Sequence, residues 1–309
     1  MGICLSSCQK QKDKELLKAK AEQEILEKRL KESIQALIAG FQGDVGIYVL
    51  HLNKGIAFGF QENKVFPTAS MIKIPIMAAL FQDIESGRLN YEKLLSYDAD
   101  LINYAWKGDG ALERFRPGSK IYLSRVIAHM IAFSDNHASL WLQAMVGEAR
   151  INEWLRTQGF EKTRLNSRLP ERKSAYQQYG WGQTTPKEML QLLQGIYQGD
   201  VVSQRASEEM YRTLTQTYWN DLALSQLPPS VQVAAKVGTV SQSRSEVVLV
   251  NAPSGDYAFC IITNKQKDRS LMPENEGFVL IRNLSKLLWQ HFEPDSTWVA
   301  PQKPYFVRH

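Results

Sequence analysis

The sequence predicts an α/β (α+β) fold made of a sheet and a separate helical lobe. Two apolar runs with strand-like composition lie near the start, at residues 45–51 and 55–60, joined by a turn at Asn53. Similar runs return near the end of the chain, while residues 66 to about 215 are mostly helical in pattern. Strands at both ends with helices between them indicate a sheet that the returning chain completes, with a cleft between the sheet and the lobe.

The composition is that of a globular protein and argues against several classes of function. The 309 residues carry a formal net charge of +5, and because the basic residues are scattered we expect no nucleic-acid partner. The five histidines show neither H-x-x-x-H nor H-E-x-x-H spacing, so we expect no metal site. We expect no cofactor. A mild positive charge suits a small anionic substrate.

The first eight residues fit two modification patterns. Leu5-Ser-Ser-Cys8 resembles a bacterial lipoprotein signal, in which Cys8 is lipidated after cleavage. Met1-Gly2 followed by Ser6 also fits N-myristoylation. We favour the lipoprotein interpretation with a start upstream of Met1, because the basic region and the full apolar region of a signal peptide are missing.

This interpretation predicts two parts. Residues 1–25 would be the lipobox-like segment and a charged tether, and residues 26–309 would be a single domain whose helical lobe covers about 66–215. The protein would be exported to the periplasm or cell envelope, with Cys8 as a lipid anchor to the membrane. No run approaches the roughly 18 apolar residues of a membrane span.

A helix that packs on the domain is predicted before the first strand. Its apolar residues recur at helical spacing and end at a glycine: Leu26, Leu30, Ile34, Leu37, Ile38 and Gly40. Within the lobe, helices are expected from Ser124 to Phe133 and from Asp135 to Val146. Residues 163–183 are predicted to form a polar, aromatic loop without periodicity, and loops of this length are usually functional or disordered.

The last third of the chain is predicted to return to strands. Thr185-Pro-Lys-Glu188 first opens one more helix, with a capping threonine and a proline at the first position. Strands are then expected at 231–237, 245–250 and 257–263. An apolar helix over 278–292 and an irregular tail complete the chain.

Ser70 and Lys73 are the first candidate catalytic residues. They stand three apart at the head of an apolar helical run, so they share one face and the amine can reach the hydroxyl. A serine hydroxyl becomes a good nucleophile when a neighbouring base takes its proton, and a lysine in a dry site can be that base. The helix start favours a developing oxyanion.

Two further motifs follow in the chain. Ser134-Asp135-Asn136 lies at a junction between predicted helices, and Lys236-Val237-Gly238-Thr239 lies at the end of a predicted strand. The order S-x-x-K, S-D-N and K-x-G marks penicillin-recognising serine enzymes. The chain thus resembles the class A β-lactamase family and the related D-alanyl-D-alanine peptidases, from about Gln35 to the last helix. The resemblance implies a β-lactamase/transpeptidase-like fold, with an antiparallel sheet, flanking N- and C-terminal helices and an all-helical lobe.

The resemblance also implies a role for each motif residue. Ser70 would attack a carbonyl, Lys73 would accept its proton, and Ser134 would relay a proton to the leaving nitrogen. Lys236 would supply positive potential. Asn136, Gly238 and Thr239 would contact the substrate, and the N–H groups of Ser70 and Thr239 would form the oxyanion hole.

The chain departs from the family pattern in the long loop. Leu169 occupies the position of the glutamate that activates the deacylating water, and a leucine cannot accept a proton. Glu171, two residues further along the loop, is a candidate to replace this glutamate as the general base. The loop's usual ion pair corresponds to Ser167 and Gly182, so we expect the loop to be held differently.

The third motif is altered as well. Val237 replaces the usual hydroxyl residue, and Arg244 or Ser243 in the following turn would compensate in binding a substrate carboxylate. Arg244 falls one residue short of the position that a class A arginine would take. A solvated turn arginine is the competing interpretation.

Three functions remain open at this point. The first is a class A-like D-Ala-D-Ala peptidase or transpeptidase that acts on peptidoglycan stem peptides and is acylated by β-lactams. The second is a β-lactamase with atypical deacylation. The third is a binding or sensor module that is acylated without turnover. The one other possibility is an unrelated serine hydrolase that acts on esters or amides.

Overall fold

A five-stranded antiparallel sheet forms the centre of the molecule. The structure is a computed structural model that describes residues 3–98 and 112–301. The strand order in the sheet is β2-β1-β10-β9-β8. The strands are β1 (Asp44–His51), β2 (Ala57–Phe60), β8 (Val233–Val240), β9 (Ser243–Val250) and β10 (Tyr257–Asn264). The predicted sheet, closed by the chain's return, is confirmed.

The closure of this sheet pairs the first strand with the last. Strand β1 runs antiparallel to β10 along its whole length, from Asp44 opposite Asn264 to His51 opposite Tyr257. The short strand β2 forms one edge, and β8, which carries the third motif, forms the other. An edge strand leaves backbone groups available for an extended ligand.

Two helices cover the outer face of the sheet. Helix α1 spans Ile3–Ile38 and helix α9 spans Glu276–Phe292. The predicted packing of α1 is confirmed at Leu30 and Ile34, which are fully buried. The helix also covers residues 3–25, which belong to the segment predicted to be a lipobox-like start and a charged tether. In the described part of the chain, no helix is long and apolar enough to cross a membrane.

The other face of the sheet carries the helical lobe. Its helices are α2 (Lys73–Glu85), α3 (Leu123–Ala132), α4 (Asn136–Val146), α5 (Glu148–Thr157), α6 (Lys173–Tyr179), α7 (Pro186–Gln198) and α8 (Gln204–Leu214). Short strands connect them: β3 (Phe66–Pro67), β4 (Leu94–Ser96), β5 (Lys120–Tyr122), β6 (Arg164–Leu165) and β7 (Gly182–Thr184). One hydrophobic core lies on each side of the sheet.

The predicted loop over residues 163–183 has more structure than its sequence indicates. It contains β6, a 3-10 turn at Pro170–Arg172, helix α6 and the start of β7. Helix α6 has no buried residue, so it carries no apolar periodicity for the sequence to show. The helix start after the loop is confirmed, because the Thr185 side chain accepts the N–H of Glu188 at 3.1 Å.

Candidate active site

Ser70 lies in a 3-10 turn, Ala69–Ile72, that leads directly into α2. The apolar sequence of α2 buries this helix in the lobe core, and Lys73 at its first position is fully buried. Ser70 itself is partly exposed. Ala69 has a φ of +46°, a left-handed conformation that costs an alanine about 1–3 kcal/mol and that the surrounding packing imposes. The nucleophile candidate therefore stands at the end of a rigid, buried helix.

Lys73 joins the first two motifs. Its Nζ donates to the carbonyl oxygen of Ser134 at 2.5 Å, to Ser134 Oγ at 3.0 Å and to Asn136 Oδ1 at 2.7 Å. Three acceptors match the three donors of an ammonium group. A buried lysine needs such partners, because an unpaired buried charge is costly.

Ser134 lies between two lysines. Its Oγ is 3.0 Å from Lys73 Nζ and 2.9 Å from Lys236 Nζ, so all three motifs meet at this hydroxyl. Ser134 has a φ of +58°, a second left-handed residue in the site. Backbone strain of this kind persists where the surrounding structure determines the conformation. The arrangement suits a hydroxyl that passes a proton between neighbouring groups.

Asp135 fixes the turn that presents Ser134. Its carboxylate accepts the N–H of Ala138 at 2.9 Å, which caps α4, and the N–H of Leu112 at 3.0 Å. The residue is fully buried. Both of these bonds go to backbone N–H groups and not to the reacting side chains. These bonds tie the Ser134 turn to α4 and to Leu112 within the helical lobe.

Burial shifts the ionisation of Lys236. Desolvation lowers the pKa of Lys236 to about 7, and the negative charge of Glu246 opposes the shift. On β9, Glu246 pairs with Val237, and burial raises the pKa of its carboxyl to about 8. Lys236 therefore changes charge close to neutral pH, which affects any anionic substrate that it binds.

Gly238 lets β8 approach the nucleophile turn. A Cβ at this position would lie 2.5 Å from Ser245 Oγ, 2.7 Å from the carbonyl oxygen of Thr68 and 3.1 Å from Ala69 Cβ. Only a glycine permits this contact, which brings the strand that carries Thr239 beside the Ser70 turn. The oxyanion hole from the N–H groups of Ser70 and Thr239 stays a prediction.

The substrate-binding role expected for Arg244 does not hold in this structure. The side chain is fully buried, and its guanidinium donates to the carbonyl oxygens of Val240, Ser241, Ser243 and Ser270 at 2.8–3.2 Å. It also lies 4.9 Å from the ring centre of Phe278. The turn between β8 and β9 leaves carbonyl groups that the arginine satisfies, so the charge serves the fold. The alternative of a solvated turn arginine is wrong too.

Leu169 lies in the wall of a cavity, and Glu171 does not. The cavity has a volume of about 540 Å³, and Leu169 lines it together with Leu140 and Trp181. Glu171 is exposed in the 3-10 turn that follows. The position of Glu171 therefore does not support the prediction that it replaces the missing general base.

The loop is held by Gln143, a residue that the sequence analysis missed. Gln143 is fully buried in α4; its Oε1 accepts the indole N–H of Trp181 at 2.6 Å. Its Nε2 donates to Ser167 Oγ at 3.2 Å and to Glu148 at 3.0 Å. These amide hydrogen bonds agree with the expectation of a loop without the usual ion pair. The sequence signal that could have identified this residue is a single glutamine within the apolar sequence of α4.

Gly182, the other position of that pair, packs directly against the nucleophile turn. A Cβ there would lie 2.6 Å from Ile72 Cδ1 and 2.8 Å from Thr68 Oγ1, so a side chain has no room. The adjacent Trp181 ring centre lies 5.7 Å from Lys73 Nζ, a distance typical of a cation–π contact. The sequence analysis also missed Trp181, because its loop shows no periodic pattern.

Across the described ranges 3–98 and 112–301, no group of three potential ligands could hold a metal ion.

Two buried lysines, Lys73 and Lys236, flank the Ser134 hydroxyl beside the partly exposed Ser70. This is the arrangement of a serine hydrolase that forms an acyl-enzyme. The model of the Beta-lactamase enzyme family matches residues 29–292. The chain belongs to this family and is a serine hydrolase of the β-lactamase and penicillin-binding protein superfamily.

Known relatives and solved structures agree with this assignment. β-Lactamase VEB-1 of Pseudomonas aeruginosa is 20% identical over 271 residues, covering 84% of this chain and 89% of the relative. β-Lactamase AER-1 of Aeromonas hydrophila is 24% identical, with 82% and 83% covered. Among structures, PBP-A is 27% identical with a TM-score of 0.75, covering 86% of this chain and 96% of that chain. A leucine-to-glutamate variant of PBP-A, solved as an acyl-enzyme complex with penicillin G, is equally similar, with 97% of that chain covered.

Proposed function

We propose that this chain is a class A-like D-Ala-D-Ala peptidase or transpeptidase that acts on peptidoglycan stem peptides and is acylated by β-lactams at Ser70. The observation that carries the proposal is Leu169. This side chain lines the cavity next to Trp181, and the nearby carboxylate of Glu171 is exposed outside the cavity. An acyl-enzyme at Ser70 would then lack the general base that lets water attack the ester.

We infer a route for acylation from the contacts of Lys73 with Ser134. Ser70 Oγ attacks the substrate carbonyl, so an ester O–C bond forms and the C–N bond breaks. Ser134 gives its proton to the leaving nitrogen, Lys73 gives one to Ser134 Oγ across 3.0 Å, and Lys73 takes the proton of Ser70. The charges and protons balance, and the relay ends with the same protonation of Lys73 and Ser134 with which it began.

The other contacts of the site serve the substrate. Lys236 donates to Ser134 Oγ at 2.9 Å and, when protonated, offers positive charge to a substrate carboxylate. Asn136 would hold the substrate amide, and the edge strand β8 would hold its backbone. PBP-A supports this proposal, because this neighbour, 27% identical with a TM-score of 0.75, carries a penicillin G acyl group in its leucine-to-glutamate variant.

The second candidate function is a β-lactamase with atypical deacylation. The naming of the relatives as β-lactamases favours it. A module that is acylated without turnover is the third. Export to the cell envelope and a lipid anchor at Cys8 are part of the proposal and rest on the Leu5–Cys8 pattern alone.

Intact-protein mass spectrometry after brief exposure to benzylpenicillin separates these functions. A peptidase should keep a penicilloyl adduct for hours, and Ser70→Ala should form none. Release of D-alanine from a D-Ala-D-Ala peptide would then distinguish the peptidase from the module without turnover. Destruction of the drug with no adduct retained would overturn the proposal in favour of a β-lactamase.

A further inference from the structure

A row of aromatic and basic side chains lies on the surface beside the Ser134 turn, and the acylation chemistry does not use it. Its members, which we call the surface row, are Tyr122, Arg125, His129 and Phe133 along α3 and Tyr218 and Trp219 after α8. The four along α3 follow one another at spacings of three or four residues, which place them on one face of the helix. Tyr122 and Phe133, at the two ends of α3, are 41% and 47% exposed.

The surface row is continuous from one end of α3 to the other and beyond. The Arg125 guanidinium lies 5.7 Å from the ring centre of Tyr122, and the rings of His129 and Phe133 are 5.5 Å apart. The ring of Tyr218, which is 46% exposed, lies 5.4 Å from that of Phe133. From Tyr122 to Phe133 the helix rises by about 16 Å. The row therefore has the length of a short polymer and not of a single small molecule.

Two hydrogen bonds hold the far part of the row against the end of α3. The N–H of Tyr218 donates to the carbonyl oxygen of Ala132 at 2.9 Å. The indole N–H of Trp219 donates to the carbonyl oxygen of Phe133, also at 2.9 Å. Phe133 directly precedes Ser134, the hydroxyl at which the three motifs meet. The rings are therefore positioned before a ligand arrives, and they adjoin the catalytic cluster.

The chemistry of the surface row favours a saccharide chain. The faces of aromatic rings carry partial negative charge, so they attract the slightly positive C–H bonds on the flat side of a pyranose ring. The hydroxyl groups at the edge of the sugar stay in reach of water and of Arg125, which is exposed and has several donors. An extended peptide finds no unpaired backbone groups on a helix face and would instead bind an edge strand such as β8.

We propose that the surface row binds a saccharide chain, namely the glycan strand from which the stem peptide branches. The inference rests on the proposed function, since it assigns the polymer that carries the substrate of that same site. A glycan strand that lies along α3 holds its peptide branch beside the Ser134 turn. Peptides attached to glycan should therefore be better substrates than free peptides, because binding of the glycan raises the local concentration of the peptide at Ser70.

Binding of an uncharged oligosaccharide tests the surface row without any chemistry at Ser70. The probe is chitotetraose, a chain of N-acetylglucosamine rings, titrated into Ser70→Ala over the millimolar range by calorimetry. We expect saturable binding, and we expect Phe133→Ala combined with Tyr218→Ala to weaken it about tenfold, since two ring contacts are lost. Tyr122→Ala combined with Arg125→Ala, at the other end of α3, should weaken it as well.

The control is an exposed aromatic side chain outside the row. Tyr176 on α6 is 50% exposed, and Tyr176→Ala should bind chitotetraose as tightly as the parent protein. Thermal unfolding shows that each variant is folded. Absence of binding to the parent protein would overturn the inference, as would equal binding by the parent and both double variants.

Release of D-alanine separates this inference from the proposed function. With Ser70 intact, kcat/KM should be about tenfold higher for a glycan-attached D-Ala-D-Ala peptide than for the free peptide, through a lower KM. Tyr122→Ala combined with Arg125→Ala should remove this preference. If neither peptide were cleaved, the proposed function would fail and the chitotetraose titration would still decide the role of the surface row. Cleavage of both peptides at equal rates would leave the proposed function standing and refute the glycan site.

Discussion

Leu169 is the residue on which the fate of an acyl-enzyme depends. Replacing it by glutamate places a proton acceptor in the cavity wall, which Trp181 also lines. We expect Leu169→Glu to shorten the lifetime of the penicilloyl adduct by about 10²-fold or more, the usual contribution of a general base. The measurement is loss of the adduct mass with time.

Leu169→Gln is the matched control for this change. It has the size and polarity of glutamate without a basic carboxylate, so the adduct should persist. Glu171→Gln should likewise leave the lifetime of the native adduct unchanged, because Glu171 is exposed outside the cavity. An unchanged lifetime in Leu169→Glu would show that the loop does not hold this side chain over the ester.

The ionisation of Lys236 predicts how acylation depends on pH. Burial lowers the pKa of Lys236 to about 7, so the side chain is charged below that pH and neutral above it. The rate constant for acylation by an anionic penicillin should therefore fall as the pH rises through about 7, by up to tenfold for each pH unit.

The control for this profile is a change of substrate. The methyl ester of the same penicillin offers no carboxylate to Lys236, so its rate constant should fall less over the same range. Stopped-flow acylation between pH 5.5 and 8.5 gives both profiles. Parallel profiles for acid and ester would contradict a charge–charge contact with Lys236.

At this scale the sequence located the reacting groups and not the residues that support them. Ser70, Lys73, Ser134 and Lys236 could be predicted because their spacing and order mark a chemistry. Arg244 could not, since a turn sequence does not tell whether a guanidinium points to the site or satisfies carbonyl groups of its own turn. Likewise, nothing in the sequence linked Gln143 to Trp181.

The approach of strand β8 to the nucleophile turn determines the width of the site. Gly238→Ala would place a Cβ 2.7 Å from the carbonyl oxygen of Thr68, which is backbone and cannot rotate away. We expect the free energy of unfolding to fall by about 1–3 kcal/mol. The rate constant for acylation should fall much further, about 10²-fold, because Thr239 is moved away from Ser70.

Gly195→Ala provides a comparison within a helix. Its Cβ would meet only the tip of the Val201 side chain, at 3.0 Å, so stability should change by about 1 kcal/mol or less and acylation should not change. Thermal unfolding and penicillin acylation measure the two properties. Normal acylation in Gly238→Ala would mean that the contact of β8 with the turn is not what positions the oxyanion donor.

Helices and strands that bury an apolar face could be predicted from the sequence, whereas a helix with only exposed residues could not. Strands β1, β8, β9 and β10 and helices α3, α4 and α9 agree with their predicted ranges to within a few residues because each carries an apolar pattern. Helix α6 buries no residue and was expected to be loop. The first half of α1 is helical although its charged sequence gave no amphipathic pattern to follow.

The whole molecule divides into two cores separated by the sheet, and only one of them adjoins the site. Leu30 belongs to the outer core and is fully buried between α1 and the sheet. Leu30→Ala should lower the free energy of unfolding by about 2–5 kcal/mol. Below its lowered melting temperature the variant should be acylated at the native rate, because α2 and the catalytic cluster lie in the other core.

Ile25→Ala is the control on the same helix. Its side chain is 52% exposed, so the free energy of unfolding should change by about 0.5 kcal/mol or less. Denaturant unfolding and penicillin acylation at 20 °C are the two measurements. A loss of acylation in folded Leu30→Ala would show that the outer core positions the site.

The pairing of β1 with β10 has a consequence for how the protein is made. Strand β1 ends at His51 and its partner begins at Tyr257, so the ribosome must add some two hundred residues before the two can meet. Long-range pairing of this kind makes folding slow and leaves intermediates exposed. The catalytic groups share this delay, because Ser70 and Lys73 come early and Lys236 comes late. A nascent chain is thus inactive until synthesis is nearly complete.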